Sequence, residues 1–171
     1  IRCVGDPLER FSEDGLRCLR AVRFASTLGF SIDQATLDAI KPTKDVFRKV
    51  AVERMTQELN KIMLSNNPGL GIDLMRFVGL FEEMLPMVDI MSKSLAGVSV
   101  AMNRAAPLSL EMGYALLLHF LDTNTVLHAM ERLKMPTALT KDVVMLVANR
   151  TPPNEQSSDR DVRLWIRSVT S

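Results

Sequence analysis

Metal-binding, disulfide-forming and aromatic side chains are all scarce in this 171-residue chain, which has two histidines, two cysteines, seven phenylalanines, one tyrosine and one tryptophan. Cys3 and Cys18 are too few for a disulfide scaffold or a cysteine-rich zinc site, so reduced, partly buried thiols are expected. An aromatic content of 5% beside 11 methionines suits packed helices better than sheets. No uninterrupted apolar run is long enough to cross a bilayer. A formal net charge of +1 does not by itself announce a nucleic-acid partner. Asp-x-Asp occurs once, as Asp159-Arg160-Asp161, where it reads as the first turn of a terminal helix rather than as a metal site.

What the sequence does contain is helical periodicity, with no strand alternation and no convincing internal repeat, and the fold class expected is all-α. Ser12 is placed to cap a helix with Leu16, Cys18, Leu19, Val22, Ala25 and Leu28 on its buried stripe, stopped by Gly29. Arg10, Glu13, Arg17 and Arg20 fall on the other side. Further helices are expected over 31–40, in a brief turn after Thr43, and over 52–64, 69–78 and 80–85. The pattern weakens over 87–106, which reads as a loop or irregular helix. Helices at 109–121, 125–134 and 140–150 follow, then a polar linker over 151–158 and an amphipathic helix bearing Trp165. The organisation expected is a neck over 1–86, a helical body over 87–150, and a linker with a C-terminal helix over 151–171.

Within the first of these helices Glu13 and Arg17 stand four apart, and Asp14 and Arg17 three apart. At such spacing carboxylates and a guanidinium brace one another. The ordinary reading is a solvated salt bridge; the functional reading is a rigid acceptor beside a rigid fork of donors, able to read the edge of a nucleobase. Cations cluster nearby: Arg2, Arg10, Arg17, Arg20 and Arg23, then Lys41, Lys44, Arg48, Lys49, Arg54 and Lys61. These are either a solvated face or a phosphate-binding one.

The text around the motif decides what it resembles. Ile1-Arg2-Cys3-Val4-Gly5-Asp6-Pro7, Glu13-Asp14-Gly15-Leu16-Arg17, Arg20-Ala21-Val22-Arg23-Phe24-Ala25, Leu28-Gly29-Phe30 and Val52-Glu53-Arg54-Met55 together resemble the neck of the class II tRNA nucleotidyltransferases, the CCA-adding enzymes and bacterial poly(A) polymerases. The likeness covers about the first 85 residues and keeps the Glu-Asp-x-x-Arg motif intact. It implies that Asp14 and Arg17 present hydrogen-bonding groups to the base of an incoming CTP or ATP, with Glu13 holding Arg17 and with Arg20 beside them. Arg10, Arg23, Lys44, Arg48 and Lys49 are the candidates for contact with RNA, whose 3′ end would be that of a tRNA. Cytosine and adenine each show an amino donor next to a ring-nitrogen acceptor, so one Asp-Arg pair can accept both, while guanine and uracil present the opposite order. Glu53, Arg54 and Glu58 read as helix-to-helix bracing.

The resemblance also implies a catalytic head, preceding the neck, whose paired aspartates hold magnesium. Nothing in this chain fits that description, and it opens on Ile1 at what would be the head-to-neck junction. The expectation is a C-terminal piece of a cytoplasmic transferase, inactive alone, with no metal or membrane partner of its own. His119 is followed by Phe120, so it lacks the His-Asp pair of the phosphohydrolase helix that some relatives carry; it and His128 read as ordinary histidines. Two alternatives stay open: a poly(A) polymerase of the same superfamily, and a non-catalytic helical RNA-binding module. A helical scaffold without RNA is a third.

Overall fold

Strong helix-starting signals recur along the chain, and several of them open helices in the computed structural model, which describes residues 1–89 and 92–150. Asp6 accepts the Glu9 amide at 3.0 Å in front of Pro7 and opens α1 (Pro7–Glu13). The helix α2 (Leu16–Leu28) ends at Gly29, whose φ of 69° gives the left-handed turn that terminates it. After it come α3 (Gln34–Asp38), capped by Asp33, a single 3-10 turn (Lys41–Thr43), α4 (Lys44–Phe47), α5 (Val52–Met63), α6 (Pro68–Val78), α7 (Leu80–Met84) and α8 (Pro86–Asp89). The remaining helices are α9 (Ser92–Ala105), α10 (Leu110–Leu118), α11 (Thr123–Arg132) and α12 (Thr137–Ala148). Among the described residues there is no strand, and no helix is long and apolar enough to cross a membrane.

Two expectations need correcting, and one open alternative is decided. Ser12 does not cap a helix; it lies inside α1 and its hydroxyl donates to the Leu8 carbonyl at 2.7 Å, because Asp6-Pro7 supplies an earlier start. Leu28 is not part of the buried stripe of α2 but is 53% exposed, while Leu16, Cys18, Leu19, Val22 and Ala25 are buried. Of the two readings of 87–106, loop or irregular helix, residues 92–105 take the helical one, as a fourteen-residue helix, since α9 packs along α6, where the Gly69 amide reaches Asn103 Oδ1 at 2.8 Å. One core of buried apolar side chains continues from α2 across residue 86 to α12, without a break at that position. The linker, Asp159, Asp161 and Trp165 lie outside the described residues.

The middle of the fold is α5. Met55, Leu59, Ile62 and Met63 are buried, and Thr56 donates to the Leu133 carbonyl at 2.8 Å, tying α5 to the end of α11. Asn60 accepts from the wholly buried Tyr114 hydroxyl at 2.7 Å, which joins α5 to α10. On its other side α5 meets α2. The contacts Asp14–Arg54, Arg23–Glu58 and Ser26–Ser65 follow in the same order along both segments, so α2 and α5 run parallel.

Candidate nucleotide and RNA interface

The Glu-Asp-Gly-Leu-Arg motif does not lie on one helix. At Asp14 the backbone is extended (φ −149°, ψ 105°), so Glu13 closes α1 and Arg17 belongs to the first turn of α2. The physical reason is Asp14 itself: its Oδ1 accepts the Leu16 amide at 3.1 Å, which satisfies one of the open donors at the start of a new helix. Gly15 lets that corner lie directly on the backbone of Val46 and Phe47.

The break nevertheless brings Glu13 and Arg17 into contact. Glu13 Oε2 pairs with Arg17 Nη1 and, at 2.9 Å, with Arg10 Nη1. Arg17 Nη1 also donates to the Arg10 carbonyl at 2.8 Å, so the guanidinium is held from two directions. The hydrogen bond from Arg17 holds the Glu13 carboxyl below its ordinary range, with the charge of Arg10 adding to the effect. Arg10, expected as an RNA contact, is thus engaged in holding Arg17.

Asp14 points elsewhere. Its Oδ2 lies 3.3 Å from Arg54 Nη2, so the partner of Asp14 in this structure is α5 and not Arg17. That partnership was not legible from spacing, since forty residues separate the two. Each of the acids and the arginine expected to brace α5 does so: Glu53 accepts from Lys134 at 2.6 Å, Arg54 meets Asp14, and Glu58 receives Arg23 at 2.6 Å, Lys61 at 2.9 Å and Arg20 at 3.9 Å. The Glu58 side chain is only 5% exposed. Burial works to raise its carboxyl, but the Lys61 hydrogen bond and the Arg23 guanidinium outweigh that and hold it below its ordinary range.

Arg10, Arg17 and Arg20 line one cavity of about 240 Å³, floored by Phe11, Ala21 and Phe24. Arg20 therefore touches both the motif's cavity and Glu58. The other RNA candidates are apart. Arg48 donates through Nε and Nη2 to Glu83 at 2.7 Å each and through Nη1 to Asp45 at 2.6 Å, on the rim of a separate cavity of about 420 Å³ floored by Phe47, Met55 and Met84. Glu83 keeps the Arg48 guanidinium charged by raising its pKa. Lys44 is half-buried against the Gly79 turn and Lys49 is exposed. Among the described residues no three His, Cys, Asp or Glu side chains gather to hold a metal ion, and the acids of the motif are already committed to arginines and a helix start. His119 is exposed, its Nδ1 2.9 Å from the Leu116 carbonyl.

The family described as "Probable RNA and SrmB-binding site of polymerase A" matches residues 29–91. The CCA-adding enzyme of Limosilactobacillus reuteri is 50% identical over 82 residues, 48% of this chain and 20% of that protein; that of a Geobacillus species is 43% identical over 88 residues, 52% and 22% of the two. The chain is thus similar, over a little under half of its length, to CCA-adding enzymes. It spans about a fifth of the length of the curated relatives it matches. Solved structures of CCA-adding enzymes share the fold. A CCA-adding enzyme in complex with CTP matches all of the chain with a TM-score of 0.59 at 18% identity, over 46% of that protein. The Thermotoga maritima CCA-adding enzyme complexed with tRNA matches 94% of it with a TM-score of 0.58 at 19% identity, over 45% of that protein. The helices described between residues 92 and 150 are thus part of the shared fold.

Proposed function

We propose that this chain is the nucleotide- and RNA-recognition part of a CCA-adding enzyme, and that the whole protein extends tRNA 3′ ends from CTP and ATP. The observation that carries the reading is the bracing of Arg17 by Glu13 and by the Arg10 carbonyl, at the edge of a cavity, in a chain of which 82 residues align at 50% identity with a CCA-adding enzyme. A guanidinium fixed in this way presents its remaining N–H groups in a set direction, which is what discrimination between base edges needs. Asp14, one turn earlier, supplies the acceptor. Its present partner, half-exposed Arg54, is a single contact at 3.3 Å that a base's amino group could replace at little cost.

In this reading the magnesium-dependent transfer belongs to a head outside these 171 residues. The residues here bind and select; they do not supply metal ligands. The protein would work in the cytoplasm on tRNA, releasing pyrophosphate.

The test is incorporation of labelled nucleotides by the full-length protein onto a tRNA lacking its CCA, with products resolved one nucleotide at a time, for wild type and Arg17→Ala. Three additions ending in A, with C and A selected over G and U, and loss of that selection in Arg17→Ala, are expected. Equal selectivity in the two proteins removes the base-reading role. A long A tract moves the assignment to a poly(A) polymerase, and RNA binding without incorporation leaves a recognition module.

A further inference from the structure

The parallel pair α2 and α5 forms a ladder with two charged rungs. The first is Asp14–Arg54, one carboxylate against one guanidinium. The second is different: a single buried carboxylate, Glu58, collects Arg20 and Arg23 from α2 and Lys61 from its own helix, leaving a surplus of two positive charges. Arg20 and Lys61 are 47% and 55% exposed, so the surplus faces water. Arg23 is fixed between Glu58 and the ring of Phe24, with its guanidinium carbon 4.0 Å from the ring centroid.

A buried acid that gathers more cations than it neutralises does not add much stability through its exposed partners, which are worth little each. It does fix their positions. Preplaced guanidinium and ammonium groups around an anchored carboxylate are the arrangement that receives a phosphate without a large ordering cost. Arg20 also lines the cavity beside Arg17, so the second rung lies next to the base-reading group along α2.

We propose that Arg20, Arg23 and Lys61, gathered on Glu58, form a seat for a backbone phosphodiester of the RNA strand whose end is being extended. The proposal rests on the reading that the chain binds RNA, and it adds Lys61 and Glu58 to that reading as the phosphate contact and its organiser. The seat positions the strand; it takes no part in bond making.

Lys61 is the residue to alter, because it is exposed and its loss leaves the buried Arg23–Glu58 contact in place. Binding of the protein to a tRNA lacking its CCA is measured by fluorescence anisotropy over a salt series, for wild type, Lys61→Ala and Lys61→Arg, with CTP binding measured alongside and thermal melts to verify folding. Loss of one phosphate contact lowers the slope of log K against log salt by about 0.7 to 0.9, equivalent to roughly five- to eightfold weaker binding at 0.1 M salt. That result for Lys61→Ala, recovery in Lys61→Arg and unchanged CTP affinity are expected. A merely structural role for Lys61 does not move the slope. Identical slopes and affinities in wild type and Lys61→Ala overturn the seat while leaving the RNA reading intact. Weaker CTP binding with unchanged tRNA binding overturns it by assigning the cluster to a nucleoside triphosphate. Absence of tRNA binding by wild type at low salt overturns both the seat and the RNA reading.

Discussion

Replacing Glu58 by glutamine keeps the shape of the side chain and removes its charge, which isolates what the carboxylate does for the fold. Glu58 is 5% exposed, and of its three partners only Arg23, at 19%, is substantially withdrawn from water. Removing one member of a fully buried pair costs about 3–5 kcal/mol, because the other charge is left uncompensated. Here Arg20 and Lys61 recover hydration when released, so the loss falls below that range, at about 2–3 kcal/mol. For a chain of this length 1 kcal/mol corresponds to about 2–4 °C, so a drop in Tm of roughly 5–10 °C at pH 7 is expected. The pH dependence has a definite sign. The folded-state pKa of Glu58 lies below the ordinary glutamate value of about 4.3, so its contribution is complete above that value and is lost as pH falls through the lower, folded pKa. Circular-dichroism melts of wild type and Glu58→Gln should therefore differ most near neutrality and converge on acidification below about pH 4. Melting temperatures within a degree or two of each other at pH 7 would refute the claim that the buried carboxylate holds α2 to α5.

Three further outcomes follow from other parts of the fold. Gly71→Ala places a Cβ 2.3 Å from Ile62 Cγ2 and 3.1 Å from Ser26 Oγ inside the junction of α2, α5 and α6, and should cost about 1–3 kcal/mol in a urea titration; an unchanged midpoint would show that the helices can part without penalty. Burial pushes the Cys18 thiol up to about 11, so at pH 8 a thiol reagent should modify partly exposed Cys3 first and reach Cys18 only on unfolding, which mass spectrometry of a labelling time course reads directly. Arg48→Gln should leave the salt slope of tRNA binding within about 0.2 of wild type, since Glu83 and Asp45 together already outweigh its charge; a fall of about 0.7 or more would return Arg48 to the RNA interface.

Helix existence was legible wherever apolar periodicity and a cap coincided. Gly29 ending α2 and the start of α10 behind Ser109 are written in local chemistry, while α5, which has no side-chain cap, was legible from its periodicity alone. Ser12 looked like a cap because local spacing cannot tell which of several capping side chains wins, and Asp6-Pro7 together with Asp14 produced two helices where one was expected. The segment of α9 stayed open between loop and irregular helix because its regularity depends on packing against α6, which a window along the chain does not contain. The candidate site divided in the same way. The Glu13–Arg17 contact lies within four residues and was visible; Asp14–Arg54 and Arg23–Glu58 join residues forty and thirty-five apart and were not.

The near-zero net charge of the chain says little about its partners, because pairing distributes charge unevenly over the surface. Where two acids meet one arginine, as Glu83 and Asp45 meet Arg48, that guanidinium is already matched and has little charge of its own to offer a phosphate, however exposed it is. Where one buried acid meets three cations, as at Glu58, the surplus stays local and oriented. Screening strengthens this distinction: at physiological salt a phosphate senses charges within about 8 Å, so its immediate neighbours decide whether it binds and acids elsewhere on the molecule do not. Counting lysines and arginines along the sequence placed Arg48 and Arg23 in the same class. The carboxylates facing them separate the two, and they do so before any ligand is considered.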